Sequence, residues 1–504
     1  MAPIPDRDSS PKGFHMRHLV IACGGIASVL APSALHAQSC DAQRSTAWIL
    51  DRVPIGAPSG PGMFVNQFRK WSIAADVDAD GADDVILGLS DCADLDCLGS
   101  AGAGPSGERR GVVQVISGRT GEMILELVSP SPAMINGQNT VGFFGNNLAA
   151  ADVNGDGRAD IAVAAYAERI DLDNDGSLAN AVGIVYVFDG ATGGLLYSHP
   201  GQAPSDAMGW SLDFVGDWDG DGAPDLLVGR RNANNLALHL YSGATGAPLQ
   251  ASVIGGYGYL RISNVGDVTG DGVDDAALTQ SSFTNSVARL VYFADASLAP
   301  VASYEWPSGG GFLIDPANIG DVDGDGLADL VFYGGNPING APPSPEVTVM
   351  SVINGEIVNE FETPDAGWPY ATRVAPLGDF NGDGAPDAAI GPFIIPDDDD
   401  PYEVMRVYSL SDGVCLGVWR TRDRSYFDGF GNNGEIAHTY LSMSSGDFDG
   451  DGRLDVAAVG IPQDTFLQPD PAFLRQLNIF RRPGCPEDMT GDGFIGFADL
   501  SALL

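Results

Sequence analysis

The sequence predicts an all-β fold: a seven-bladed propeller of four-stranded antiparallel blades, closed by an N-terminal strand and followed by a short loop-and-helix tail. Three observations predict it. An acidic, glycine-bearing stretch of nine residues returns seven times along the 504-residue chain. Short apolar runs of strand length flank each copy. The two ends of the repeating region are each incomplete, and each supplies what the other lacks.

The copy Asp321-Val-Asp323-Gly-Asp325-Gly326-Leu-Ala-Asp329 shows the chemistry. Calcium is a hard cation that takes six to eight oxygens, so a short loop must aim several carboxylates inward. Asp321, Asp323 and Asp325 point to one side of a tight turn, and Gly326 supplies the positive φ that reverses the chain. The Leu327 carbonyl can add an oxygen, and Asp329 closes the shell from the start of the next strand. Carboxylates this close repel one another and raise one another's pKa, so the loop is expected to be loose without an ion. An acidic surface turn of no function is the plain alternative, but it does not explain one spacing kept seven times. The copies begin at Asp76, Asp152, Asp217, Asp267, Asp321, Asp379 and Asp447, at intervals that fit one supersecondary unit each.

In chain order, residues 1–37 read as a signal peptide that is removed. Arg17 precedes the mostly apolar run from Leu19 to Leu35, and His36-Ala37-Gln38 offers a small residue for cleavage. Met16 is an alternative start, because residues 1–15 are polar and proline-rich. Val20-Ile21-Ala22-Cys23 resembles a lipoprotein cleavage box, which would tether the protein instead of releasing it. No later stretch is long and apolar enough to span a membrane.

Residues 38–484 carry the repeats. The stretch Thr46-Ala-Trp-Ile-Leu-Asp-Arg-Val53 is a lone strand with no acidic loop before it. Within each unit an aromatic-glycine or glycine-aromatic pair, as in Phe144-Gly145, Gly209-Trp210 and Gly311-Phe312, leads into a first strand. After the loop come Asp225-Leu-Leu-Val-Gly229, Asp329-Leu-Val-Phe-Tyr333 and Asp455-Val-Ala-Ala-Val-Gly460, apolar and strand-like. A third strand and a hairpin follow, as in residues 184–197 and 238–249, whose Gly-Ala-Thr-Gly turns match hairpin chemistry. The last unit stops after Arg475-Gln-Leu-Asn-Ile-Phe480, its third strand, so the lone N-terminal strand is expected to complete it. That closure predicts a Cys40–Cys485 disulfide in place of a hairpin turn. Cys92 and Cys97 are close enough for a local disulfide in an oxidising compartment, with no His or further Cys pair to make them a zinc site. Cys415, on the apolar strand Val414-Cys-Leu-Gly-Val418, reads as a buried thiol.

The chain has 67 acidic and 25 basic residues and a formal charge of −42. That balance argues against nucleic acid or an anionic membrane surface as partners. G-x-S-x-G, H-E-x-x-H and P-loop motifs are absent from the sequence. His239 alternates with Leu238 and Leu240 as an ordinary strand residue. Asp171-Leu-Asp-Asn-Asp175-Gly176 has the first half of a calcium loop, but Ala179 stands where the closing carboxylate belongs. The run Asp397 to Asp400 reads as a solvated loop.

The loops, the aromatic-glycine pairs and the blade pattern over residues 46–482 resemble FG-GAP repeats, the units of the seven-bladed propeller of integrin α subunits. The resemblance implies Ca2+ held between the first two strands of each blade, on one rim. Carried over by position, its ligands are Asp76, Asp78, Asp80 and Asp84; Asp152, Asn154, Asp156 and Asp160; Asp217, Asp219, Asp221 and Asp225; and Asp267, Thr269, Asp271 and Asp275. The remaining sets are Asp321, Asp323, Asp325 and Asp329; Asp379, Asn381, Asp383 and Asp387; and Asp447, Asp449, Asp451 and Asp455. Thr269 puts a neutral hydroxyl where the others have a carboxylate or amide, so that site is expected to be the weakest.

Residues 485–504 form a separate segment. Asp488, Thr490, Asp492, Phe494 through its carbonyl, and Asp499 keep EF-hand spacing, with glycine at Gly493 and the apolar Leu500-Ser-Ala-Leu-Leu504 after it. This resembles half of a dockerin, which implies docking to a cohesin-like scaffold, although a complete dockerin has two such halves. The expectation is a secreted or cell-surface, monomeric, calcium-binding module that recognises an extracellular protein or glycan and performs no chemistry. The alternative is a polysaccharide-degrading enzyme, a lyase or hydrolase, or its carbohydrate-binding partner, with residues drawn from several blades.

Overall fold

The computed structural model describes residues 49–55, 72–89, 111–131, 134–135, 138–139, 142–232, 235–255, 259–282, 287–307, 316–333, 346–352, 355–362, 373–395, 402–420, 439–461 and 475–481. The described residues are all β and turn, and none forms a helix. Six four-stranded antiparallel blades are each built from four consecutive strands: residues 72–128, 148–200, 208–253, 259–307, 317–362 and 373–420, here blades 1 to 6. One further four-stranded sheet is composite. It combines Thr439–Gly446, Asp455–Ile461 and Arg475–Arg481 with the N-terminal strand Ile49–Ile55. Ile49 pairs with Arg481 and Ile55 with Arg475 in antiparallel register, so the expected lone strand does close the last sheet, and it runs on past Val53 to Ile55.

Apolar packing follows the strand period of two. In the third strand of blade 2, Ile184–Phe188, Tyr186 and Phe188 pack towards blade 1 with Val113, Val115 and Leu148. Val185 and Val187 point the other way, onto Leu212, Leu226 and Val228 of blade 3. Equivalent clusters fill each later junction. The one between the composite sheet and blade 1 joins Phe448, Ala457 and Ile479 to Val85, Leu87 and Ile116. The core is therefore a circle of inter-blade layers, and each sheet buries both faces.

Hydrogen bonds close the same circle. Asp83 N donates to the Asp447 carbonyl at 2.8 Å, just as Ala159 N donates to the Asp76 carbonyl at 2.9 Å between blades 1 and 2. Ser72 and Ser444 hydroxyls meet at 3.1 Å. Outer strands such as Leu195–Pro200 alternate between half-buried and exposed positions, as an edge strand with one wetted face does.

Two sequence expectations meet the structure differently here. Cys415 is half-buried and disulfide-bonded, so it is not the buried thiol its apolar strand implied; hydropathy cannot tell a half-cystine from a thiol. The signal segment, the Cys40–Cys485 and Cys92–Cys97 pairs, Gly311-Phe312, Asp397–Asp400 and the EF-hand-like tail lie outside the described residues. No helix among the described residues is long and apolar enough to cross a membrane.

Candidate metal centre

Every acidic loop joins the first and second strands of its sheet, so all seven project from the same end of the strands. Their internal geometry is one design. In the loop of blade 5, Asp321 Oδ1 accepts N–H groups from Gly324 (2.6 Å) and Asp325 (3.1 Å), and Oδ2 accepts from Gly326 (2.8 Å). Asp323 Oδ1 accepts from Asp325 N at 3.0 Å and Asp325 Oδ1 from Leu327 N at 2.8 Å. Each side chain thus caps the backbone two to five residues on, and winds it into a coil with carboxylates gathered inside. The sixth position is glycine in every copy, as expected, with φ of 91° at Gly326. The fourth position also takes positive φ. It is glycine in six copies and Ala79, at 58°, in the first, a second conformational demand that the ligand spacing alone does not announce.

The closing aspartate of each loop opens or immediately precedes the second strand and is almost fully buried. Asp84, Asp160, Asp225, Asp275 and Asp387 are 0 % exposed. One oxygen turns back to the loop, as in Val77 N to Asp84 Oδ2 at 2.9 Å. In blades 1 to 3 the other accepts from the hairpin that joins strands three and four, through Gly118 (3.3 Å), Gly190 (2.9 Å) and Gly243 (3.3 Å). The residue therefore braces two turns at one rim. Burial pushes the Asp84 and Asp387 carboxyls up to about 7, and Asp225 and Asp275 to about 6. Asp160 and Asp329 are raised for the same reason. Neighbouring carboxylates add to the shift but follow burial, so mutual repulsion is not the leading cause that the crowded sequence implied. Backbone N–H groups also bind the carboxylates within each loop.

The donor set fits calcium. It consists of hard oxygens alone, and Asp275 Oδ1 and Asp387 Oδ1 are buried carboxylate oxygens with no hydrogen-bond donor. The loops fall into two kinds that alternate along the chain. In blades 1, 3 and 5 and the composite sheet, carboxylate oxygens converge within 4.8 Å: Asp76, Asp78 and Asp84; Asp217, Asp219 and Asp225; Asp321, Asp323 and Asp325; Asp447, Asp449 and Asp451. In blades 2, 4 and 6 the third position is Asn154, Thr269 or Asn381. There the amides occupy the carboxylates themselves: Asn154 Nδ2 donates to Asp160 Oδ1 at 3.2 Å and Asn381 Nδ2 to Asp383 Oδ2 at 2.9 Å.

Asp171, Asp173 and Asp175 also converge, on the connection after the second strand of blade 2. In place of a closing carboxylate, Ala179 pairs with Ile170 through a backbone bridge. Residues outside the ligand pattern contribute as well. Arg119 Nε donates to Asp80 Oδ2 at 3.1 Å, and Asp83 Oδ2 accepts from Asp447 N at 2.9 Å, linking the first loop to the last. Only the eighth position of the repeat, Asp83 where others carry Ala, Pro, Asp or Leu, hints at this in the sequence.

A family model for the FG-GAP repeat matches residues 144–188, and one for the FG-GAP-like repeat matches residues 217–278. These are the first three strands of blade 2, and the span from the acidic loop of blade 3 into the second strand of blade 4. Among curated proteins, Integrin alpha pat-2 of Caenorhabditis briggsae is 32 % identical over 181 residues, and that of Caenorhabditis elegans is 31 % identical over 191. The matches cover 33 % and 34 % of this chain but only 13 % and 14 % of the relatives' length. Among solved structures, rhamnogalacturonan lyase YesW aligns with a TM-score of 0.45 at 15 % identity, covering 86 % of this chain and 75 % of that one. The rhamnogalacturonan lyase PL11 of Bacillus licheniformis aligns with a TM-score of 0.44 at 15 % identity and the same coverage.

Proposed function

We propose that the chain is a calcium-stabilised seven-bladed propeller, with the composite sheet as its seventh blade, that binds an extracellular protein or glycan and performs no chemistry. The observation that carries this reading is the seven-fold acidic loop with its buried closing aspartate, on a ring whose sequence resembles FG-GAP repeats of integrin α type. Calcium would be held by the side chains at the first, third and fifth loop positions together with the closing aspartate, the third being a carboxylate in four of the seven loops. It would supply positive charge to a rim that otherwise concentrates carboxylates, and so stiffen the loops. The signal segment fits export, where millimolar calcium fills sites of modest affinity. The dockerin-like tail would add a second, separate contact through a cohesin-like scaffold.

Two measurements test this reading. Calcium should raise the melting temperature of chelator-treated protein, since an ion that binds only the folded state stabilises it by mass action. The protein should also release no reducing ends or unsaturated products from a panel of acidic and neutral polysaccharides. Turnover in that assay would make the protein an enzyme and overturn the non-catalytic reading.

A further inference from the structure

We propose that the rim opposite the acidic loops carries a binding site for a neutral glycan, built by Phe143, Tyr166, Trp210 and Arg231 where blades 2 and 3 meet. It deepens the recognition role above and rests on it. Phe143 precedes the first strand of blade 2, and Tyr166 follows the second, Asp160–Ala165, at the end away from the acidic loop. Trp210 lies in the first strand of blade 3, Met208–Phe214, and Arg231 near the far end of the second, Leu226–Asn232. The Phe143 and Tyr166 rings stack at 5.6 Å with 9° between planes. Tyr166 meets Trp210 edge-on at 5.1 Å, and the Arg231 guanidinium lies 4.5 Å from the Trp210 ring centre. The four side chains form one row across the junction.

The fold does not require this row. Phe143 has φ of 62°, and its carbonyl accepts from Asn146 N at 3.1 Å. Blade 3 builds the same turn with Ala207, at φ 45°, whose carbonyl accepts from Trp210 N at 3.1 Å. The turn thus needs a residue that tolerates the left-handed region, and an aromatic ring gives no advantage there. The place of Trp210 is taken in blade 2 by the buried Asn146, and the place of Tyr166 in blade 3, six residues past the closing aspartate, by Arg231 itself. Phe143 nevertheless leaves 39 % of its surface exposed. The turn accounts for the backbone but not for the exposed ring.

The row is also rigidly mounted. Arg231 N donates to the Asp206 carbonyl at 3.1 Å. The Asp206 carboxylate, 1 % exposed, accepts from Arg230 Nη1 (2.6 Å), Asn232 Nδ2 (3.0 Å), Gln202 N (2.8 Å) and Ala203 N (2.9 Å). Such bracing holds a contact surface in one geometry before a ligand arrives.

The chemistry selects the occupant. Ring faces pack against the C–H face of a pyranose, and a guanidinium donates to its hydroxyls. A polyanion is disfavoured by the formal charge of −42 and by Asp171, Asp173 and Asp175 in the same connection as Tyr166. A protein partner covers about 800 Å² per side. Tyr166, Trp210 and Arg231 are half-buried, so the four side chains offer much less surface than that.

Native affinity gels containing hydroxyethyl cellulose, xyloglucan, galactomannan or polygalacturonate, with a polylysine-coated bead assay beside them, test the site. At least one neutral polymer is expected to retard the calcium-loaded protein, and Phe143→Ala and Trp210→Ala should each weaken retention at least tenfold. Phe143→Ala keeps the fold, because Ala207 adopts that turn in the next blade, and an unchanged melting temperature verifies it. No retardation by any neutral polymer overturns the proposal. So does retention that Phe143→Ala leaves unchanged, which moves the glycan site elsewhere while the recognition role stands. Binding confined to polygalacturonate or to polylysine also overturns it, and assigns the rim a charged partner.

Discussion

Seven carboxylates stand at the start of seven second strands or one residue before it, each with at most 1 % of its surface exposed. Those with folded pKa values near 6 to 7 hold a proton that the unfolded chain, at about 4, has already lost. Between those values the folded state binds more protons, so stability declines as pH rises from about 4 to about 7. We expect chelator-treated protein to melt lower at pH 8 than at pH 5, and calcium to raise melting most at pH 8; denaturation curves at both pH values check it. At the third loop position, Asn154→Asp should replace an internal amide donor by a ligand and raise calcium affinity of that loop about tenfold or more, read by titration calorimetry. Glycine substitutions separate conformation from space. Gly326→Ala meets nothing within 4 Å and should cost about 1–2 kcal/mol for its left-handed backbone. Gly243→Ala places a Cβ 1.8 Å from the Pro224 carbonyl oxygen and should cost considerably more, since backbone must move. The ligand positions were legible because coordination fixes their spacing. Burial of the closing aspartate against Gly118, Gly190 or Gly243 was not, since it depends on a hairpin 18 to 34 residues away.

At the scale of the element, a loop and the hairpin beside it act as one unit, tied by the closing aspartate. Asp325→Ala removes one ligand and the cap on Leu327 N, leaving the strands on either side intact. The expected result is faster proteolysis in residues 321–329 with the melting temperature lowered by only a few degrees, because each blade packs mainly on its two neighbours. Mass mapping of protease fragments checks it. Strand order within a blade was readable from short apolar runs and Gly-Ala-Thr-Gly turns, since hairpins are local. The row at Phe143, Tyr166, Trp210 and Arg231 was not readable, because it is assembled from four segments of two blades. Only the pair Gly209-Trp210 announced any part of it.

For the whole molecule, closure is the feature on which the rest depends. The apolar layer joining Phe448 and Ile479 to Leu87, and the bonds between Asp83 and Asp447, bring together residues separated by more than 350 positions. The incomplete ends of the repeat made this expectation possible, and Ile49–Ile55 fills the missing place. The strand runs past Val53 to Ile55 because a lone apolar run does not mark its own end. The same bonds set the first and last loops side by side, so ions in these two loops would reinforce the junction where the chain meets itself.

Calcium bound per folded chain, counted by equilibrium dialysis at millimolar free calcium and paired with melting in excess chelator, tests the central claim most directly. We expect at least four ions, one for each first-to-second-strand loop with converging carboxylates, and a melting temperature that falls on their removal. Fewer than one ion per chain, with melting unchanged by chelator, would contradict it.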